Sequence, residues 1–362
     1  MLYEKIIRPL IFLPDPETVH HFMIKSLGVI SRIPPFASIG KKICAVNDPR
    51  LETKLGRLTL PNPIGLSAGF DKYIDAPLAY SMLGFGFAEL GSITYSAQPG
   101  NPRPRLWRIP KDHGYIVYYG LSNNGAKQTA VALEKLPPHP IPYGISIAPT
   151  TGLSTETMAD DYLNTLRALH QYADYITLNV SCPNVASQCV FTQISFITEL
   201  VKKVMAEMRE KNICKDVFLK IGPDMMDADL DTIIDLCIAE GITGIIATNL
   251  VKKRESITPK STATELNHPG GISGKLLQDK SDRVISHIYQ RAKGKLQIIG
   301  VGGIFTAEDA YRKIKNGANA VQLITGFIYG GPMTMKNINR GLLRLLEKDG
   351  YKNISEAVGT EK

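Results

Sequence analysis

The sequence predicts a (β/α)8 barrel of the TIM type preceded by a helical extension, and three observations carry that prediction. From residue 62 onward, eight short runs rich in β-branched residues alternate with stretches of helical period. Strand followed by crossover, repeated eight times, is the signature of a closed parallel barrel. The chain has 362 residues, 44% hydrophobic and 21% charged, enough for one large core without disulfide staples. No internal repeat or low-complexity segment divides it. Residues 1–40 are therefore read as the extension and residues 41–362 as the barrel.

The extension reads as two short helices, residues 3–13 and 16–30, broken by Pro14-Asp15-Pro16. Asp15 suits an N-cap and Pro16 the first helical position, where its fixed φ and missing N–H are harmless. Ile6, Ile7, Leu10, Ile11 and Leu13, then Val19, Phe22, Met23, Leu27 and Ile30, make both segments apolar. Lys5, Arg8, Lys25, Arg32, Lys41 and Lys42 flank them. This pattern fits either a helical lid on the barrel or an interfacial hairpin resting on an anionic membrane surface.

The barrel strands are expected at residues 63–67, 85–90, 143–147, 175–180, 217–221, 244–248, 297–301 and 320–324. Helix-period segments at 160–171, 197–209, 230–240 and 307–316 lie between them. Two connections, 91–142 and 249–296, are long, and long barrel loops usually carry function.

Composition narrows the class. The net charge of +8 is spread along the chain, which argues against a nucleic-acid partner. The five cysteines form no CxxC pair and are odd in number, against a disulfide framework or a zinc site. No apolar run approaches the roughly 20 residues that span a bilayer. The N-terminus carries no small-residue cleavage pattern, so a location on the cytoplasmic side is expected.

A barrel places its chemistry at the C-terminal ends of its strands. Those ends bring together Lys72, Lys220, Asn179, Asn184, Asn249, Cys182 and a glycine pair, Gly302-Gly303, followed by Thr325-Gly326. The glycines stand where barrels bind phosphate through backbone N–H groups, although a tight turn would use them too. A lysine in the mouth can stabilise a developing anion. Asparagines, both donor and acceptor, suit a planar ring with alternating C=O and N–H groups. Cys182 reads either as a buried small apolar residue or as a base or nucleophile on a loop over the pocket. No His or carboxylate cluster suggests a metal.

Taken together, Ala68-Gly69-Phe70-Asp71-Lys72, Gln98-Pro99-Gly100-Asn101-Pro102-Arg103-Pro104-Arg105, Asn179-Val180-Ser181-Cys182-Pro183-Asn184, Gly270-Gly271-Ile272-Ser273-Gly274 and Ile299-Gly300-Val301-Gly302-Gly303 resemble the dihydroorotate dehydrogenases. Asp15-Pro16-Glu17 and His20 resemble the membrane-associated, quinone-using class, which favours the interfacial hairpin. The resemblance implies an FMN barrel of pyrimidine biosynthesis. A base removes a proton from C5 of dihydroorotate, a hydride leaves C6 for flavin N5, and a quinone reoxidises the flavin. It implies Cys182 as the base, with Lys72, Asn179, Asn184, Asn249 and the backbone at Gly120-Leu121 on the substrate. Ala68, Gly69, Ser92, Lys220, Thr248, Ser273, Gly274, Gly302, Gly303 and Thr325 match flavin-contacting positions. His20 and Arg108 match the quinone tunnel.

The sequence also departs from that family. The quinone class has serine where Cys182 stands. Val117 and Tyr118 replace the usual Asn-Arg, Leu250 replaces Ser or Thr, and Ser146 replaces an Asn, with Ala148-Pro149 after it instead of Gly-Lys. The loop 185–189 lacks the usual Gly-Leu-Arg. Losing two buried polar contacts at about 1–3 kcal/mol each would weaken dihydroorotate binding about a hundredfold. The departures fit a related flavin enzyme acting on a less polar ring or enone.

Overall fold

A computed structural model describes residues 2–181 and 193–361. Its centre is a closed barrel of eight parallel strands, in chain order Ile64–Leu66, Phe87–Ile93, Tyr143–Ile147, Tyr175–Asn179, Asp216–Ile221, Gly244–Ala247, Gln297–Val301 and Ala320–Leu323. Each strand pairs with its sequence neighbour, and the eighth pairs with the first, Val321 opposite Ile64. All eight predicted strands are present, with ends moved by at most three residues. The strands are buried on both faces, so they read as continuous apolar runs.

The barrel interior is filled in layers. At the N-terminal end, Phe87, Tyr175, Phe218, Ile246, Ile299 and Ala320 pack with Leu55 and Leu60. These two leucines come from a hairpin, Thr53–Leu55 with Leu58–Leu60, that plugs the barrel floor. The sequence reading missed this hairpin because three-residue strands carry almost no periodicity.

Above the apolar layer lies a polar one centred on Glu89, whose residue is 0% exposed. Its carboxylate accepts from Lys220 Nζ at 3.2 Å, Thr177 at 3.1 Å, Gln322 at 3.1 Å and the Tyr175 hydroxyl at 3.4 Å. A buried carboxylate with this many donors satisfies the rule that interior charge must be paired and hydrogen-bonded.

The two long connections supply a second sheet. Leu106–Ile109, Gly114–Val117 and Gly271–Gly274 pair antiparallel, with the middle strand from the first connection flanked by one strand from each. Ile109, Ile116, Leu266 and Ile272 form its own small core.

The extension begins with a continuous helical segment, π-helical over Tyr3–Ile7 and α-helical over Arg8–Ile11, which ends two residues before the expected Leu13. The helix Pro16–Ser31 follows, and Asp15 caps it by accepting from the Thr18 N–H at 2.8 Å, as expected. Gly28 sits so close to the barrel that a Cβ there would lie 2.2 Å from the Asp75 carbonyl. A third helix, Pro34–Cys44, absent from the sequence reading, runs across residue 40.

Candidate functional site

The loop after the first strand is built around Asp71. Its buried carboxylate accepts from the backbone of Asp75 and Ala76 and from the Tyr80 hydroxyl, at 2.8, 3.0 and 2.8 Å. Gly91 donates to the Asp71 carbonyl and Gly69 donates to the Gly91 carbonyl, tying this loop to the second strand. Lys72 is thereby fixed in the barrel mouth, 8% exposed, with its ammonium 3.7 Å from the centre of the Tyr119 ring. Burial, and after it the Arg105 guanidinium, lowers the Lys72 ammonium to about 8, against the pull of Glu17 and Asp71.

The ends of the second, fourth and sixth strands are joined by side chains. Asn179 donates to Ser92 at 2.9 Å, and Ser92 shares a hydrogen bond with Ser146 at 2.7 Å. Asn179 Oδ1 accepts from the Ser181 N–H and hydroxyl, while the Asn249 amide donates to the Ser181 carbonyl and hydroxyl. An amide has two N–H groups and two oxygen lone pairs, so both asparagines keep capacity for a ligand. Ser181 is also the last described residue before Cys182. Cys182 and Asn184 lie outside the described residues.

In the connection between the second and third strands, the chain passes through Gly120 at φ +69° and Leu121 at φ +58°. Positive φ at two successive residues marks a tight turn of the backbone here. Among the described residues, neither N–H has a protein acceptor.

Two adjoining cavities collect these groups. The larger, about 360 Å³, is lined by Lys72, Gly120, Leu121, Asn179 and Asn249, and by Val117, Tyr119 and Leu250. Its other wall is the extension, through Tyr3, Ile11, Pro16, His20, Met23 and Leu27. The smaller, about 80 Å³, is lined by Thr248, Gly274, Gly302, Gly303, Thr325 and Gly326. Ala68, Lys220, Ser273 and Thr325 line both, and Gly69 and Ser92 line the larger. All ten expected flavin positions therefore face this one space.

The glycine cradle has physical reasons to be glycine. Gly302 and Gly303 have φ of +124° and +70°, and a Cβ on Gly303 would lie 2.4 Å from Gln278 Cβ. Among the described residues, the Gly302 and Gly303 N–H groups have no protein acceptor. Thr248 Oγ1, also on this wall, is buried without a partner.

His20 lines the larger cavity, edge-on to Phe70 with ring centres 4.9 Å apart. Burial, and then the Lys72 ammonium, pushes the His20 imidazole down to about 3, so it is neutral at physiological pH. Arg108 stands beside the extension. Its guanidinium donates to the carbonyls of Ile11, Phe12 and Pro14, and it is not among the residues lining the cavity. It fastens the extension, and it also hydrogen-bonds Tyr115, a residue of the cavity wall.

Three residues escaped the sequence reading as site components. Glu89 interrupts an apolar strand, a visible signal of a buried functional carboxylate. Tyr119 gave none and Arg105 stood only as the last residue of the Gln98–Arg105 motif, since their contacts depend on tertiary packing. Among the described residues no cluster of His, Cys, Asp or Glu could hold a metal ion.

Comparison with known proteins agrees with this geometry. Residues 50–346 match the family model described as dihydroorotate dehydrogenase. The chain is 38% identical to a dihydroorotate dehydrogenase (quinone) of Gloeobacter violaceus, covering 98% of both chains. It is 40% identical to one of Nostoc punctiforme, covering 99% of this chain and 98% of the other. The Eimeria tenella dihydroorotate dehydrogenase crystallised with ferulenol superposes with a TM-score of 0.83 at 28% identity, covering 96% of each chain.

Proposed function

This chain belongs to the dihydroorotate dehydrogenase family, and on that premise we propose that it oxidises dihydroorotate to orotate with FMN, passing the electrons to a membrane quinone. The convergence of a cationic, amide-lined pocket, a glycine cradle and the helical extension on one connected space carries this reading. The cradle residues fit the phosphate of FMN, and the unpartnered Thr248 hydroxyl and the Lys220 ammonium fit its ring. FMN, when bound, supplies a two-electron acceptor beside the substrate ring.

The remaining roles belong to the chain. Lys72 and the free N–H groups of Gly120 and Leu121 bind the substrate's anionic end. Asn179, Asn184 and Asn249 orient its ring. Cys182 takes the C5 proton. The cavity wall from Tyr3 to Leu27 guides the quinone, with neutral His20 as its hydrogen-bonding group. Formation of orotate with a short-chain quinone as acceptor tests the reading, and absence of orotate under those conditions contradicts it.

The same reading places the protein on a membrane surface on the cytoplasmic side. Among the described residues, all exposed large apolar side chains except Tyr95, Val131 and Met226 lie between Leu2 and Ile43, in the extension and the end of its third helix. Leu10 is 62% exposed and Phe36 55%. Lys5, Lys25, Arg32, Lys41 and Lys42 are exposed in the same segment. No described helix is long and apolar enough to cross a bilayer, so the segment would lie in one leaflet. Leu10→Glu with Phe36→Glu is expected to weaken binding to anionic vesicles at least about tenfold, each side chain forfeiting about 1.5–3 kcal/mol of burial. Unchanged vesicle binding would remove the membrane role.

Val117 and Leu250 favour a second reading. Both line the substrate cavity, where they leave part of its wall without hydrogen-bonding side chains. A flavin oxidoreductase for a less polar ring or enone would fit such a wall. Val117→Asn with Leu250→Thr is expected to tighten dihydroorotate binding about tenfold or more, at about 1 kcal/mol per restored bond. Unchanged or weaker binding in the double variant would contradict the matching of these two positions to the family's polar substrate contacts.

A further inference from the structure

The extension is joined to the substrate pocket by a chain of four side chains. Glu17, on the helix Pro16–Ser31, is only 3% exposed. Its carboxylate accepts from Arg105 Nε at 3.1 Å and Nη2 at 2.8 Å. Arg103 Nη2 stands at 3.1 Å and His21 Nε2 at 3.4 Å. Arg105 is 5% exposed and also donates to the carbonyls of Pro99 and Asn101. Its guanidinium carbon lies 5.0 Å from the centre of the Tyr119 ring. The Lys72 ammonium lies 3.7 Å from the centre of that same ring.

The physical consequence is directional. Among the described residues, Lys72 Nζ has no hydrogen bond or ion pair, so the Tyr119 ring is its closest stabilising contact. A desolvated cation on an aromatic face is held by the ring's quadrupole, and more strongly than an exposed one. Arg105 holds that ring from its other contact, and Glu17 both fixes Arg105 and offsets its positive charge. Without Glu17, an uncompensated guanidinium would repel the Lys72 ammonium at short range and low dielectric.

We propose that Glu17 is a positioning residue for the substrate half of the reaction, acting through Arg105 and the Tyr119 ring on the Lys72 ammonium. The extension then serves the substrate pocket as well as the acceptor side. This rests on the assignment of Lys72 to substrate binding. The charged and titratable groups facing Lys72 are Asp71 beside it, Glu17 and His20 from the extension, Arg105 and Tyr119. Asp71 is committed to its own loop and His20 is neutral, which leaves Glu17 and Arg105 as the pair that sets the local field.

The sign of the effect is fixed. Glu17 raises the Lys72 pKa and Arg105 lowers it. Glu17→Gln removes the first and bares the second, so the ammonium is lost at a lower pH than the value of about 8 that the native arrangement gives. Binding of an anionic substrate, which needs the ammonium, falls off at lower pH in the variant.

The test uses the full-length oxidised holoenzyme labelled with 13C at the lysine ε carbon, with the Lys72 signal identified by its loss in Lys72→Met. Glu17→Gln is expected to move the Lys72 midpoint down by on the order of one pH unit. Tyr119→Leu moves it the same way and raises KM for dihydroorotate in flavin reduction about tenfold, with kcat within about twofold. Tyr119→Phe, which keeps the ring, retains the parent midpoint and KM. An unchanged midpoint in Glu17→Gln, or in Tyr119→Leu should the first variant not fold, overturns the coupling. A parent enzyme that dihydroorotate does not reduce overturns the substrate reading instead, while the midpoints still decide the coupling.

Discussion

Cys182→Ala is expected to slow flavin reduction by dihydroorotate about 10²–10⁴-fold, the usual loss when a positioned general base is removed. The protein should remain yellow, because the groups that fit FMN are Lys220, Thr248, Ser273, Thr325 and the glycine cradle, none of them in the segment that bears Cys182. Asn179, Ser181 and Asn249 form one hydrogen-bonded cluster at the cavity wall, and Ser181 is bonded to Cys182 in the chain.

A thiol is more acidic than a hydroxyl, so the thiolate forms at lower pH. Cys182→Ser is therefore expected to retain more activity than the alanine variant, with the rise of its pH–rate profile displaced to higher pH. Stopped-flow reduction across pH measures both. Parental rates in Cys182→Ala would remove the residue from the mechanism.

Lys220→Met is expected to destabilise the fold by about 3–5 kcal/mol, the range for removing one partner of a buried ion pair. Lys220 is 3% exposed and Glu89 0%, so neither has solvent to fall back on. With the ammonium gone, Glu89 keeps only neutral donors from Thr177, Gln322 and Tyr175. It must then carry an undercompensated charge or take up a proton. Either state penalises folding, and the loss should appear as a lower urea midpoint with an unchanged slope.

Adding Glu89→Gln should recover part of the loss, since the unpaired carboxylate is the main source of it. Flavin retention should fall in the single variant, because Lys220 lines both cavities. A loss below about 1 kcal/mol would mean that the pair contributes no more than a surface bridge.

The barrel was legible because its strands are buried on both faces and separated by amphipathic helices, so composition alone marks where each begins. The cradle was legible because Gly302-Gly303 and Thr325-Gly326 fall just after strands seven and eight, where the fold places anions. The floor hairpin was not, since Thr53–Leu55 and Leu58–Leu60 are too short to show a period. The antiparallel sheet joins residues 114–117 with 271–274, a pairing over more than 150 positions that no local pattern encodes.

Arg108 shows the limit for single residues. Its position relative to the motif is readable, but the direction of its side chain depends on its contacts with the extension and with Tyr115. The contact of Lys72 with Tyr119 is of the same kind. Both residues are visible in the sequence, but their meeting follows from the loop that Asp71 organises.

The measurement that tests the central claim most directly is anaerobic mixing of the purified holoprotein with dihydroorotate while the flavin absorbance is followed. Dihydroorotate oxidation with FMN predicts rapid bleaching of the yellow colour, restored when quinone is added. A yellow protein that dihydroorotate does not bleach would contradict the substrate, and a colourless protein that refuses added FMN would contradict the cofactor.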